Sequence, residues 1–247
     1  MYLEKIKSFY KENLVSLKKI VRLALENQKL RLRWMARARI SQDLIDVGLR
    51  GIERCEVVYI NLDHRSDRRA EIESQFSSLG LKKFVRFSAV KRDVGALGCA
   101  ESHLGVIESW TSGSQSLLMV CEDDCEFLLS RKDIDDLIEE FLSEKCLGVL
   151  CLAFNSKNAI RISNQLKITS HTLTTACYLI KPSARDALLT AARRSVESFK
   201  IEKNHLPIDV AWLREQKNIF FSIPVIRAAQ QRSSFSDIKN EDVEYNM

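Results

Sequence analysis

Residues 122–124 read Glu122-Asp123-Asp124 and directly follow the apolar run Leu117-Leu118-Met119-Val120-Cys121. Three carboxylates this close repel one another unless something positive sits among them, and a hard divalent cation with oxygen ligands answers that need. The competing reading is a solvated acidic turn before the next helix. A second polar cluster follows another apolar run, Val57-Val58-Tyr59-Ile60. There Asn61 and Asp63 offer hydrogen-bonding groups, while Arg65, Arg68 and Arg69 offer cations or, alternatively, a solvated helix start. Polar groups for a base and ribose, together with a cation bridging phosphates, are what a nucleoside diphosphate requires. The chain has neither a Walker loop nor a GxGxxG turn, which disfavours a P-loop NTPase and a dinucleotide dehydrogenase.

Both clusters need strands to place them. Each preceding run is too short for a membrane span and suits a strand buried on both faces. In an open α/β sheet, ligands sit beyond the carboxyl ends of such strands. Helices are expected over about 66–78, ended by Gly80, over 95–110 with Leu97, Ala100, Leu104 and Ile107 on one face, and over 131–142. Further strands are expected over 84–90, 147–154, 174–180 and within 219–226. Pro182 and Pro207 each suit a helix start, the second helix carrying Asp209 and Trp212. The polar stretch 155–170 reads as a mobile loop or excursion. Strands alternating with helices imply an α/β fold, a Rossmann-type, mostly parallel sheet covered by helices on both faces.

The 247 residues include only 8 Gly and 3 Pro, which favours long helices and short connections. No window approaches a transmembrane length, and the charged start reads as no signal peptide. Seven cysteines, Cys55, Cys99, Cys121, Cys125, Cys146, Cys151 and Cys177, lie mostly in apolar runs without zinc spacing. They read as reduced core thiols, and hence as a cytoplasmic protein.

Charge is uneven. Residues 1–50 hold 12 Lys and Arg against 5 Asp and Glu, whereas residues 51–247 hold 26 against 28. This division marks a basic amphipathic helical extension, 1–50, ahead of a main domain, 51–247. Leu3, Ile6, Tyr10, Leu14, Leu17, Ile20 and Val21 recur at helical spacing; from Lys29 to Arg39 cations surround the helix, with Trp34 among them. The apolar face of residues 1–48 could pack on its own domain, self-associate, or lie on an anionic membrane surface. Nucleic acid is not an expected partner, because no recognised reading module accompanies the cations.

Several segments resemble glycosyltransferase family 25, the group of lipooligosaccharide and collagen galactosyltransferases. Tyr59-Ile60-Asn61-Leu62-Asp63-His64-Arg65-Ser66-Asp67-Arg68-Arg69 is similar to its opening signature. Phe87-Ser88-Ala89-Val90 with Gly98-Cys99-Ala100-Glu101-Ser102-His103 resembles its second block, and Val120-Cys121-Glu122-Asp123-Asp124 its acidic metal motif. Ala176-Cys177-Tyr178-Leu179-Ile180, Pro207-Ile208-Asp209 and Ser236-Asp237-Ile238 match later blocks, so the likeness spans about 55–238. The first 50 residues have no counterpart in it.

The resemblance implies a GT-A-like fold, a UDP-sugar donor (commonly UDP-galactose), a glycan or glycolipid acceptor, Mn2+ or Mg2+, and inversion at the anomeric carbon. It places Asp124 and Glu122 at the metal. Asn61, Asp63, Arg65, Arg68, Ala89, Gly98, Ser102, His103, Glu122 and Asp123 fall at the donor. An inverting displacement needs a base for the acceptor hydroxyl. Asp209 is the expected base, with Glu101, His103 and Asp237 as alternatives; Asp209 also reads as an acid stabilising a helix start. His103 reads equally as a buried, hydrogen-bonded histidine. Two other functions fit the same residues: a catalytically weak nucleotide-sugar-binding scaffold acting through its basic helix, and a metal-dependent nucleotide or phosphate hydrolase.

Overall fold

The computed structural model describes residues 2–37, 48–111, 117–201, 205–236 and 241–243. Helix α1 (Tyr2–Arg37) leads to strand β1 (Cys55–Asn61), α2 (Ser66–Ser78), β2 (Val85–Ser88), α3 (Gly95–Ser109) and β3 (Leu117–Glu122). Then follow β4 (Cys125–Phe127), α4 (Arg131–Ser143), β5 (Leu147–Cys151), β6 (Asn155–Arg161), β7 (Leu166–Leu173) and β8 (Cys177–Ile180). The chain continues through α5 (Arg185–Ser198), α6 (Ile208–Ala211), β9 (Phe220–Pro224) and β10 (Ala229–Gln231). Two short strands, β11 (Ser234–Ser236) and β12 (Glu241–Val243), pair with each other.

The main sheet has eight strands in the order β2-β1-β3-β8-β5-β9-β7-β6. Strand β1 pairs in parallel with β2 and β3, and β5 in parallel with β9, whereas β8 and β7 run against their neighbours. Six of the eight strands therefore point one way. This is the expected α/β class, with reversed strands inserted in its second half.

Alternation along the strands divides the core. Val57, Tyr59, Met119, Cys121, Leu150 and Leu179 face α2 and α4, meeting Ile72, Phe76, Ile134 and Phe141. Val58, Ile60, Leu118, Val120, Val149 and Ile180 face α3 and α5, meeting Val106, Ile107, Leu188 and Trp212. Central strands buried on both faces explain why their sequences are continuous apolar runs. Ser130 caps α4 by accepting from Asp133 N–H, and the buried positions of that helix fall at helical spacing.

Two sequence expectations are corrected here. Residues 155–170 are not a loop; most of them form the β6–β7 hairpin at the sheet edge. Their polar side chains misled because they bond to one another: Asn158 donates to Ser170 Oγ at 2.8 Å, and Thr169 Oγ1 to Asn158 Oδ1 at 3.2 Å. Leu166 and Ile168 supply the buried face. The strand expected over 174–180 starts only at Cys177, since Thr174 adopts a φ of 81° and breaks the extended chain.

Helix α1 is present, but its basic second half is what docks on the domain. Leu30 is buried, and Trp34 meets Phe220 edge-on at 5.4 Å. Ile20 and Val21, on the apolar face read from the sequence, are exposed. The Leu3, Ile6, Tyr10, Leu14 and Leu17 side chains and residues 38–47 lie outside the described residues.

Candidate functional site

Strand β1 lies between β2 and β3, so the chain leaves it towards one side of the sheet and returns on the other. Such a switch point opens a crevice at the carboxyl ends of the strands. Ile60 and Glu122 are register partners there, which brings the Asn61 loop and the 122–124 acids together. A cavity of about 300 Å³ occupies this position, within the range of small-molecule sites. Asn61, Arg68, Ala89, Gly98, Ser102, His103, Glu122, Asp123 and Asp124 line it.

The site is assembled from its acids outward. Asp123 uses both carboxylate oxygens: Arg68 Nη1 donates to Oδ1 at 2.9 Å and Asn61 Nδ2 to Oδ2 at 2.8 Å. Asn61, 1% exposed, also donates to Arg65 O at 3.0 Å and accepts from Arg86 Nε at 3.0 Å. The Asn61 amide thus ties the end of β1 to the acidic turn. Burial pushes the Asp123 pKa up, against the opposing effects of Asn61 and Arg68.

Glu122 is held differently. Thr175 Oγ1 donates to Glu122 Oε1 at 2.5 Å, and His103 Nε2 lies 3.1 Å from the same oxygen. His103 Nδ1 lies 2.9 Å from the Tyr178 hydroxyl. With the proton on Nε2, the ring donates to Glu122 and accepts from Tyr178, a tautomer inferred from these partners. Burial opposes ionisation of Glu122, but the hydrogen bonds from His103 and Thr175 outweigh it and lower its pKa.

Asp124 stands apart. Gln231 Nε2 donates to its Oδ2 at 3.0 Å, and Arg68 Nη1 is 3.6 Å from the same oxygen. Asp124 Oδ1 is buried and has no hydrogen-bond partner. Burial and the neighbouring Glu122 charge push the Asp124 pKa up to about 7. Return strand β10 pairs with β4, and Arg232 N–H donates to Asp124 O at 2.8 Å, so the far end of the chain locks the acidic turn.

A divalent cation fits this donor set. One guanidinium faces two carboxylates, a third carboxylate sits beside a histidine, and a buried carboxylate oxygen is left over. Asp124 and Glu122 could hold the ion, whereas both oxygens of Asp123 are committed to the protein. Cys99, His103 and Glu122 also bring ligand atoms within 4.8 Å of one another. There, however, burial raises the Cys99 pKa well above its usual value and both ring nitrogens of His103 have partners.

Helix α3 supplies another wall of the cavity, through Gly95, Gly98, Cys99, Ser102 and His103. A Cβ on Gly98 would come within 2.3 Å of Val90 O, so only glycine lets this helix approach so closely. Ser102 Oγ accepts from Val90 N–H at 2.8 Å and donates to Gly98 O at 2.7 Å, clamping the 89–91 segment onto the helix.

Other expected residues do not line the cavity. Asp63, exposed, accepts from Arg86 Nη2 at 2.5 Å and Ser88 Oγ at 2.7 Å, and these hydrogen bonds lower its pKa. Arg65 pairs with Asp67 at 2.8 Å. Asp209 Oδ2 accepts from Thr174 N–H at 3.2 Å; burial raises its pKa, and its charge reaches Glu122 and Cys99. Glu101 pairs with Arg92 on the cavity rim, and Asp237 lies outside the described residues. Thr175, Tyr178 and Gln231 were not anticipated from the sequence. They arrive from β8, its approach and β10, and no local pattern announces them.

No family model matches the chain, and no curated protein sequence matches it. Among solved structures, it is similar to a UDP-glucose pyrophosphorylase complexed with UDP-glucose. That match has 9% identity and a TM-score of 0.42, covering 70% of this chain and 74% of the other. It is similar also to a Drosophila beta-1,4-galactosyltransferase 7 variant in complex with manganese, UDP-Gal and xylobiose. There the identity is 10% and the TM-score 0.42, covering 78% of this chain and 76% of the other.

Proposed function

We propose that this chain is a metal-dependent glycosyltransferase that moves a hexosyl group from a nucleoside-diphosphate sugar to an acceptor hydroxyl. The carrying observation is Asp124, whose buried Oδ1 has no hydrogen-bond partner and which lines, together with Glu122, a cavity at the switch point of the sheet. The quoted motifs support a finer reading: a family 25 enzyme with a GT-A-like catalytic domain, 51–247, and a helical extension, 1–50. That reading makes UDP-galactose the donor, inversion the outcome, a lipooligosaccharide-type surface glycan the acceptor and the cytoplasm the location.

Asp124 and Glu122 would hold Mn2+ or Mg2+. Such an ion, when bound, neutralises charge developing on a diphosphate leaving group. Arg68 keeps the acids together and supplies a further positive charge at the cavity. The acceptor hydroxyl oxygen forms a bond to the anomeric carbon as the carbon–diphosphate bond breaks, and the diphosphate leaves with the electron pair. Asp209, which does not line the donor cavity, takes the hydroxyl proton in this reading from an acceptor bound beyond that cavity. Its burial-raised pKa favours proton uptake, while His103 has both ring nitrogens engaged.

A thermal-shift screen of nucleotide sugars with and without Mn2+ tests the reading. The expected result is stabilisation by one UDP-sugar only when metal is present. Release of UDP on adding an acceptor should follow, and Asp124→Ala should abolish both. Metal-dependent cleavage of phosphates without any acceptor requirement would favour a hydrolase instead.

A further inference from the structure

Helix α1 carries two apolar faces, and the domain covers one of them. Leu30 is buried, Trp34 packs on Phe220, and Arg37 Nη1 donates to Asn218 O. At roughly 100° per residue, Leu23, Leu30 and Trp34 share this docked side. Val21, Leu25, Leu32 and Met35 lie on the opposite side, at spacings that hold one face of a helix. They are 50%, 52%, 60% and 59% exposed.

Charge tells what the outward face is built to meet. Lys18, Arg22 and Lys29 flank it along one margin and Arg31 along the other, all exposed. Residues 18–37 hold seven Lys and Arg against Glu26 alone. We propose that this outward face of α1 seats the protein on an anionic lipid surface, its four apolar side chains entering the interface and its cations meeting headgroups. An apolar stripe with cationic margins is the pattern of a helix lying in the membrane plane. A second copy of α1 against the same stripe would set like-charged margins side by side, which opposes pairing. Among the described residues, no helix is long and apolar enough to cross a membrane, so α1 lies on the surface.

The test is co-sedimentation of the full chain with phosphatidylcholine vesicles, with and without phosphatidylglycerol. Binding is expected only with the anionic lipid, falling several-fold as salt rises from about 50 to about 300 mM. Leu25→Glu/Leu32→Glu should weaken it by about tenfold or more, since each buried leucine contributes strongly to insertion. Both side chains are exposed, so thermal unfolding of that variant should match wild type. Equal binding to neutral vesicles, no binding, or undiminished binding by the double variant would overturn the proposal. So would a micromolar dimer, seen by analytical ultracentrifugation, that the double variant dissolves while vesicles leave the wild type in the supernatant.

Discussion

Arg68 Nη1 donates to Asp123 Oδ1 at 2.9 Å, with each side chain only 10% exposed. Arg68 lies in the first turns of α2 and Asp123 in the turn after β3, so the pair closes the site between two strand ends. Three acids in one turn call for a positive partner, and the protein's own contribution is this guanidinium.

Breaking that pair from one side should be costly. Arg68→Met leaves Asp123 and Asp124 without their buried counter-charge, and a loss of about 3–5 kcal/mol is expected. Asp123→Asn in the same background should restore part of it, because the remaining amide needs no counter-ion. Urea denaturation of the two single variants and the double variant gives the coupling energy. Strictly additive losses would mean that the pair contributes nothing beyond its separate contacts.

Asp124 should make both stability and metal binding depend on pH near neutrality. Burial first, and the Glu122 charge second, raise its pKa from 3.8 to about 7. The unfolded chain loses this proton first. The associated stability is therefore fully present below about pH 4 and is lost as pH rises through 7. Mn2+ requires the ionised carboxylate, so its affinity should climb between about pH 5 and 8, with proton release on binding. Calorimetric titrations in buffers of different ionisation enthalpy measure that release. A flat affinity over this interval would count against Asp124 as a ligand.

Lys181 should carry the opposite dependence at alkaline pH. Its Nζ donates to Phe141 O at 2.8 Å and Glu144 O at 2.9 Å, at the C-terminal end of α4, and burial lowers its pKa to about 8. The unfolded chain keeps the proton to about pH 10.5, the ordinary lysine value. Between these values the unfolded state binds more protons, so stability rises with pH, by at most about 1.4 kcal/mol per unit. The free-energy difference between wild type and Lys181→Met, followed by denaturant melts from pH 7 to about 10.5, should grow in favour of wild type.

The sequence by itself determined the apolar strand runs of the sheet centre, the amphipathic helices and the fold class, because periodicity and apolar content act within a few residues of chain. It also marked two polar clusters, Asn61–Arg69 and Glu122–Asp124, each following a buried strand, and members of both line one cavity. Tertiary structure decided the division of labour within those clusters. Asn61 and Arg68 turned inward to hold Asp123, Asp63 and Arg65 found partners outside the cavity, and Asp124 alone kept a buried oxygen without a partner. Thr175, Tyr178 and Gln231, contributed from elsewhere in the chain, complete the hydrogen bonds of Glu122, His103 and Asp124. The same holds at the sheet edge, where polar residues 155–170 became strands by bonding to one another. It holds too for α1, where the fold chose which of two apolar faces to bury. Composition records which groups a chain owns. Which of them remain without a partner is settled only when distant segments meet.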